Sequence, residues 1–213
     1  MSTNEKEVSS RQRGEAYWFL SNLFADQLDL EAVTQMASAA NKSSTDFGQA
    51  GEIFRAFLDM RDLEILTLRL SQEHTRLFCG ISEEYGPPPP YESLWREGVM
   101  MGESTVQVAQ HYVQAGYRPD SRFAPLDHLV EELRFMASLC NAEHEAQVAG
   151  NDEAAGQLRH KQQRFLTDHL GVWIGNYCRK IAELSTEALY RSIARVTATV
   201  VAEDAAELVE MAQ

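Results

Sequence analysis

The chain has 213 residues, of which 44% are hydrophobic and 24% charged, an ordinary composition for a globular protein long enough to bury a core. Its formal net charge of −13 disfavours a nucleic-acid backbone or an anionic membrane as partner and favours a basic one, although acidity also serves solubility. No stretch approaches the roughly 18 uninterrupted apolar residues of a membrane span, so no membrane insertion is expected.

The cysteines and the start of the chain indicate a compartment. Cys79, Cys140 and Cys178 are far apart, odd in number and form no CxxC pair. This pattern favours a reducing environment in which cysteines serve as small buried apolar side chains. The first twenty residues contain neither the apolar run of a secretory signal nor an adjacent arginine pair. We therefore expect a cytoplasmic protein.

Apolar residues recur at helical spacing through the first part of the chain. One stripe of the segment GEAYWFLSNLFADQL is apolar: Tyr17, Leu20, Leu23 and Phe24. Asp29 suits the N-cap of a second helix. Residues 52–78 predict either one long amphipathic helix or a broken pair of helices.

The segment EEYGPPPPYESLW, residues 83–95, contains four of the six prolines of the chain. Each proline lacks a backbone N–H and disfavours helix in the residue before it. The proline run is therefore expected to be extended, in polyproline II conformation, and to serve as a rigid rim or as a hinge.

Helical periodicity resumes after the prolines and predicts one helix from about residue 91 to a C-cap at Gly116. The next helix is expected to have Pro125 in its first turn and to close at Gly150. Residues 152–184 and 185–212 predict the last helices, including the β-branched run VTATVV, whose flanks favour helix.

These elements predict an all-α fold, a single globular helical bundle-like domain of about ten helices over residues 1–213. Within it we expect an N-terminal half of about residues 1–82, a proline-rich hinge loop of about residues 83–90 and a C-terminal half of about residues 91–213.

No pattern typical of catalysis occurs in the sequence. It contains no GxGxxG turn, no Gly-Lys pair of a phosphate-binding loop and no GxSxG nucleophile. His128 precedes Glu131 and Glu132 at helical spacing, but no ExxH pair of the di-iron type is present and the other histidines are isolated. We expect no enzyme activity, no metal and no cofactor.

Three segments in this order resemble a known family. They are HTRLFCG at residues 74–80, PPYESLW at residues 89–95 and DHLVEELRFM at residues 127–136. With FLTDHLGVWIGNYC as a weaker fourth match, the resemblance spans roughly residues 15–180. The chain is similar to the TorD/DmsD/NarJ family of all-helical chaperones for molybdoenzymes.

The resemblance implies a cytoplasmic chaperone whose partner is the apo form of a molybdoenzyme catalytic subunit. Such proteins bind the subunit's N-terminal signal peptide, usually a twin-arginine one, and hold the subunit until its cofactor is inserted. No reaction is catalysed. Carried over residue by residue, the signal-binding positions are Leu77, Phe78, Glu84, Tyr91, Glu92, Ser93, Trp95, Asp127 and His128, with Glu131 extending the acidic strip.

The residue types fit a basic, moderately apolar peptide, which needs an apolar groove with acidic edges. Asp127, at a helix start, is expected to be ionised and to accept from a signal arginine. His128 is either a second polar contact or a brace for the proline loop. Tyr91 and Trp95, four residues apart, either contact the peptide or pack in the core.

Other interpretations stay open. A NarJ-like assembly adaptor for a non-exported redox subunit would need no twin-arginine leader, and a nucleotide hydrolase would need a phosphate loop that the sequence lacks. The identity of the client is not encoded in these motifs. A stiff segment between two helical halves suits either a monomer or a domain-swapped dimer.

Overall fold

The computed structural model describes residues 3–42, 53, 62–80 and 85–211, and these residues form an all-α protein without strands. The helices are α1 (Thr3–Ala25), α2 (Leu30–Lys42), α3 (Leu63–Phe78), α4 (Glu92–Glu97), α5 (Glu103–Ala115), α6 (Leu129–Val148), α7 (Asp152–Phe165), α8 (Gly171–Leu184) and α9 (Ala188–Met211). Eight of them have 13 residues or more and α4 has six, so the described ranges contain fewer than the ten or so helices expected.

The chain divides into two compact units. Unit 1 comprises Met1–Asn22, Pro90–Ile174 and Val200–Gln213, and unit 2 comprises Leu23–Pro89 and Gly175–Thr199. One change of unit falls between Pro89 and Pro90, inside the proline run, and the others fall within α1, α8 and α9. Hinge motion at the proline run stays a prediction.

Each unit has an aromatic core. In unit 1 the ring of Phe135 lies 4.8 Å from those of Tyr112 and Phe165, joining α5, α6 and α7. In unit 2 the ring of Phe78 lies 5.4 Å from those of Phe24 and Tyr190. Such edge-on and tilted ring contacts stabilise a core beyond the burial of apolar area.

The first helices follow the sequence pattern. The predicted stripe of α1 is buried at all four positions, Tyr17, Leu20, Leu23 and Phe24. Asp29 caps α2 as predicted, because its carboxylate accepts the N–H of Ala32 at 2.8 Å. Asp62 caps α3 in the same way, accepting from Glu64 and Ile65 at 3.1 Å. Because Asp62 is extended, residues 52–78 do not form the one long helix that was the first alternative. Residues 52 and 54–61 lie outside the described residues, so the other helix of a broken pair stays a prediction.

The prediction of one helix over residues 91–116 is wrong. Gly98, with φ 74°, ends α4, and α5 begins only at Glu103. The carboxylate of Glu97 holds this break, accepting the N–H groups of Glu103 and Ser104 at 2.8 Å. The C-cap at Gly116 is confirmed, with φ 69°.

The placement of Pro125 in a first helical turn is also wrong. Pro125 lies in the loop before α6, whose N-cap is His128 and whose first residue is Leu129. The closure of this helix at Gly150 is confirmed, since Gly150 follows its last turn with φ 69°.

One turn of π-helix, Leu166–Leu170, separates α7 from α8. It places His169 in the interior of unit 1, with 1% of its surface exposed. A Cβ on Gly171 would lie 2.4 Å from the carbonyl oxygen of Leu166, so the tight turn requires glycine at this position. Single π-turns of this kind often occur at functional sites.

The burial of the cysteines agrees with the sequence prediction at two of the three positions. Cys140 and Cys178 are buried as predicted, whereas Cys79 is exposed, contrary to the prediction. All three thiols are free. In the part of the chain that the structure describes, no helix is long and apolar enough to cross a membrane.

Candidate functional site

The PPYESLW and DHLVEELRFM segments meet in unit 1 as an isolated antiparallel β-bridge between Tyr91 and His128. The N–H of Leu129 donates to the carbonyl of Pro90 at 2.9 Å, and the N–H of Glu92 donates to the carbonyl of Asp127 at 2.9 Å. These bonds satisfy backbone groups that neither helix can satisfy itself, because they lie at the helix starts. The bridge fixes the start of α4 beside the start of α6.

Asp127 adds a side-chain bond to the bridge. Tyr91 is the N-cap of α4 but makes no side-chain cap. Instead, Oδ2 of Asp127 accepts the N–H of Ser93 at 2.8 Å, and both residues are fully buried. Asp127 therefore caps α4, a different helix from the one it precedes.

His128 braces the same junction. Its Nδ1 accepts the N–H of Val130 at 3.2 Å, and its ring lies 4.9 Å from that of Tyr91 and 5.1 Å from that of Phe123. Burial lowers the pKa of His128 to about 4, so its ring is neutral at pH 7 and free to accept at Nδ1. Of the two roles expected from the sequence, these contacts favour the brace.

Glu131 is enclosed rather than displayed on a strip. One carboxylate oxygen accepts from the Tyr117 hydroxyl at 2.9 Å and from the N–H of Asp120 at 3.1 Å. The other oxygen lies 3.3 Å from the Arg134 guanidinium. The side chain thus ties the loop after α5 to α6, and none of its surface is exposed.

Glu92 also points inward. Both of its carboxylate oxygens lie 3.1 Å from Nδ1 of His169, and the Arg96 guanidinium pairs with it one turn further along α4. Arg96 also donates to the carbonyl of Asp168 at 2.9 Å. Beside them, Glu132 accepts from the Trp173 indole N–H at 3.1 Å.

Sequence reasoning did not identify four members of this inner cluster: Arg96, Glu132, His169 and Trp173. The signals were present, because His169 and Trp173 lie in the fourth matching segment and Glu132 lies in the third. His169 was instead interpreted as an isolated histidine. Its partner Glu92 is 77 residues away in the chain, which spacing rules do not reach.

The remaining predicted site residues are elsewhere or undescribed. Leu77 and Phe78 lie at the end of α3 in unit 2, where they are 0% and 7% exposed and belong to its core. Glu84 lies outside the described residues. The structure therefore joins Tyr91, Glu92, Ser93, Asp127, His128 and Glu131 in one unit and places Leu77 and Phe78 in the other.

Two parts of the site region reach the surface. Tyr91 and Trp95 are half-buried. Directly after α4, Val99, Met100 and Met101 are exposed, the last at 72%. Exposed neighbouring apolar side chains of this size commonly mark an interaction surface. Among the described residues, no group of three or more His, Cys, Asp or Glu is placed to hold a metal ion.

Comparison with known proteins agrees with the motifs. Residues 25–179 match the family described as nitrate reductase delta subunit. Chaperone protein TorD of Shewanella pealeana is 28% identical over 91% of this chain and 88% of its own length. Chaperone protein TorD of Vibrio cholerae serotype O1 is 24% identical over 98% of this chain and 97% of its own.

A solved structure shares the fold. The crystal structure of an Archaeoglobus fulgidus protein, described as a redox enzyme maturation protein, superposes with a TM-score of 0.51 at 21% identity. It covers 89% of this chain and 93% of its own. The family match spans well over half of the sequence, and the chain belongs to the nitrate reductase delta subunit family, the TorD/DmsD/NarJ family that its motifs resemble.

Proposed function

We propose that the protein is a molybdoenzyme maturation chaperone of the TorD type, which binds the N-terminal signal peptide of an apo catalytic subunit in the cytoplasm. It holds that subunit until the molybdenum cofactor is inserted, and only then are export or assembly allowed. Membership of the family and the names of its TorD relatives support a chaperone rather than an enzyme.

The observation that carries the proposal is the Tyr91–His128 bridge. Tyr91 and His128 belong to two of the motifs that the family resemblance selects and are 37 positions apart in the chain, yet they form one junction in unit 1. Tyr91 in the bridge and Trp95 on α4 are half-buried aromatic side chains, and residues 99–101 beyond the end of α4 are exposed. An apolar surface on a pre-organised support suits a peptide that binds as an amphipathic helix.

In this proposal the site residues have two roles, contact with the peptide and support of the contact surface. Tyr91 and Trp95 have exposed surface and contact the peptide in this proposal. Glu92, Ser93, Asp127, His128 and Glu131 support that surface through their internal bonds. Direct pairing of Asp127 with a signal arginine requires α4 to open, because the carboxylate is fully buried.

The charge of −13 supports a basic ligand. Long-range attraction speeds the encounter with a basic signal segment and weakens as salt screens it. We expect the association rate to fall as the salt concentration rises, with a smaller effect on dissociation. An apolar contact surface alone would leave the association rate nearly independent of salt.

Calorimetric titration with a synthetic signal peptide tests the proposal. The peptide is the N-terminal segment of the molybdoenzyme subunit that co-purifies with the protein from anaerobically grown cells. We expect saturable binding of one peptide per chain. Absence of heat with every co-purifying subunit's N-terminal segment, using folded protein, would contradict the proposal.

A NarJ-like adaptor for a non-exported subunit is a second candidate, because the matching family is described by a nitrate reductase subunit. The two candidates differ in the ligand. A twin-arginine chaperone loses affinity when both arginines of the peptide are replaced by glutamine, whereas an adaptor binds an N-terminal segment that has no arginine pair.

Light scattering of the purified chain separates a monomer from a domain-swapped dimer.

A further inference from the structure

The buried glutamates Glu92 and Glu132 form a pair inside unit 1. Glu92 belongs to α4 and Glu132 to α6, and neither has any exposed surface. The charge of Glu92 acts on Glu132, so the two carboxyl groups are close neighbours in the interior. On the far side of the pair, His169 approaches Glu92 and the Trp173 indole donates to Glu132, each at 3.1 Å.

The hydrogen bonds of the pair are incomplete if both glutamates are ionised. The Oε2 atom of Glu132 accepts from Trp173, but Oε1 of Glu132 is buried and receives no hydrogen bond. A buried carboxylate oxygen without a donor is costly, and two carboxylates in contact repel each other. A proton on Glu132 removes both problems, because a carboxylic acid can donate to its neighbour Glu92.

The charge around the pair leads to the same conclusion. Asp127 is a third fully buried carboxylate, and its Oδ1 also lacks a hydrogen bond. The permanent cation that pairs with Glu92 is Arg96, which is not bound to Glu132, and His169 beside Glu92 is positive only when its ring is protonated. Several buried negative charges beside one arginine would need more compensation than this interior supplies.

We propose that Glu132 is a positioning residue that carries a proton at neutral pH and donates it in a hydrogen bond to Glu92, so that α4 is held against α6 by a shared proton. The acid pair would then keep the start of α4 in place for Tyr91 and Trp95. This last link rests on the proposed function, whereas the proton itself does not.

Burial, and next the charge of Glu92, raise the pKa of Glu132 well above its ordinary value. The surrounding titratable or charged groups come from every element packed on the pair: Glu92 and Arg96 of α4, Asp127 before α6, His111 and Tyr112 of α5, Asp168 and His169 of the π-turn. Since the folded pKa lies above the unfolded one, this group favours folding most below about pH 4.5 and loses that contribution as pH rises toward its folded pKa.

Infrared spectroscopy in heavy water detects the proton directly. At pH 7 the wild-type chain is expected to show a carboxylic-acid carbonyl band that is missing in Glu132→Gln, an isostere that can still donate to Glu92. The matched control Glu145→Gln, on an exposed position of the same helix, retains the band. Identical wild-type and Glu132→Gln spectra in this region would overturn the inference.

Two further measurements test the proton without the infrared band, and the first of them needs no substitution at Glu132. The nitrogen-15 signal of the Trp173 indole is identified because it persists in Trp18→Phe and Trp95→Phe chains. In the wild-type chain this signal should stay constant from about pH 5 to 8. A titration of this signal near pH 4 to 5, the ordinary range of glutamate, would contradict a proton at neutral pH. The melting temperature of Glu132→Gln should also fall less than that of wild type as pH rises from about 5 to 9, and parallel curves contradict the proposal.

None of these readouts uses a client peptide. If Glu132 proves to be ionised at pH 7, the proposed chaperone function is unaffected. If the signal peptide does not bind, the protonation of Glu132 is unaffected. The joint claim is tested by peptide affinity at pH 7, where Glu132→Gln should match wild type and Glu132→Ala should bind at least about tenfold more weakly. Equal affinity of all three proteins would show that the Glu92–Glu132 pair does not position the peptide-binding residues.

Discussion

The carboxylate of Asp127 accepts the backbone N–H of Ser93 at 2.8 Å, so a residue that precedes α6 caps the start of α4. Together with the Tyr91–His128 bridge, this bond joins two segments that are more than 30 residues apart. It gives the aspartate of the DH motif a structural role that can be measured without any ligand.

Replacement of Asp127 by alanine should destabilise the protein by about 1–2 kcal/mol, because the N–H of Ser93 then loses its acceptor in a buried position. Asp127→Asn keeps an acceptor oxygen and should cost less than about 1 kcal/mol. Urea unfolding followed by circular dichroism measures both. Glu145→Ala, exposed on α6, is the control and should change the stability little. Equal stabilities of the Asp127→Ala and wild-type chains would refute the capping role.

Gly86, immediately before the prolines, has a steric reason to be glycine. A Cβ at this position would lie 1.9 Å from the carbonyl oxygen of Arg76, a backbone atom that cannot move aside easily. Gly86→Ala should therefore cost about 2 kcal/mol or more in the free energy of unfolding. Gly156 of α7 has open space around it, so Gly156→Ala should stabilise by up to about 1 kcal/mol. A Gly86→Ala chain as stable as wild type would contradict the close approach.

Acid should loosen the His128 brace. Burial places the folded pKa of His128 at about 4, below its unfolded value of about 6.5. The unfolded chain then binds the proton first, so this contribution to stability is complete above about pH 6.5 and is lost as pH falls toward 4. His128→Asn retains a capping acceptor without titrating.

The difference in melting temperature between wild type and His128→Asn should therefore change between about pH 7 and 4, with wild type losing more. The exposed His160, replaced by asparagine in a control chain, should show no such change. A constant difference for His128→Asn across this range would mean that its ring is protonated in the folded protein as easily as in the unfolded chain.

The exposed segment after α4 should contribute to binding but not to stability. Met101 is 72% exposed, so Met101→Gln should leave the melting temperature within about a degree or two of wild type. Loss of an apolar contact should weaken signal-peptide binding by up to about tenfold. Val148→Gln, 64% exposed at the end of α6, is the matched control and should bind as wild type. Unchanged affinity of Met101→Gln would remove residues 99–101 from the site.

Much of the fold follows from local pattern. The α1 stripe and the buried Trp173 and Tyr177 follow from apolar residues at helical spacing, and Asp29 is a cap because its carboxylate reaches the first free N–H groups. The break at Gly98 was missed because apolar periodicity continues across it through the exposed residues 99–101.

The site could be predicted only in part, because charge in a sequence does not reveal burial. Glu92, Asp127 and Glu131 were expected to form an acidic edge, yet all three are fully buried. Their partners Ser93, His169 and Tyr117 include residues far along the chain, which helical spacing cannot identify. Leu77 and Phe78 have the same apolar pattern in the sequence whether they line a groove or fill the core. In the structure both are buried in the core of unit 2.

Paired tryptophan substitutions test the central claim most directly. Trp95 lies on α4 at the proposed site, and Trp18 is an exposed tryptophan of the same unit, on α1. In calorimetric titrations with the signal peptide, Trp95→Ala should bind at least about tenfold more weakly than wild type, whereas Trp18→Ala should stay within about twofold. Equal affinities of Trp95→Ala and wild type, with both proteins folded, would contradict a signal-binding site built on the start of α4.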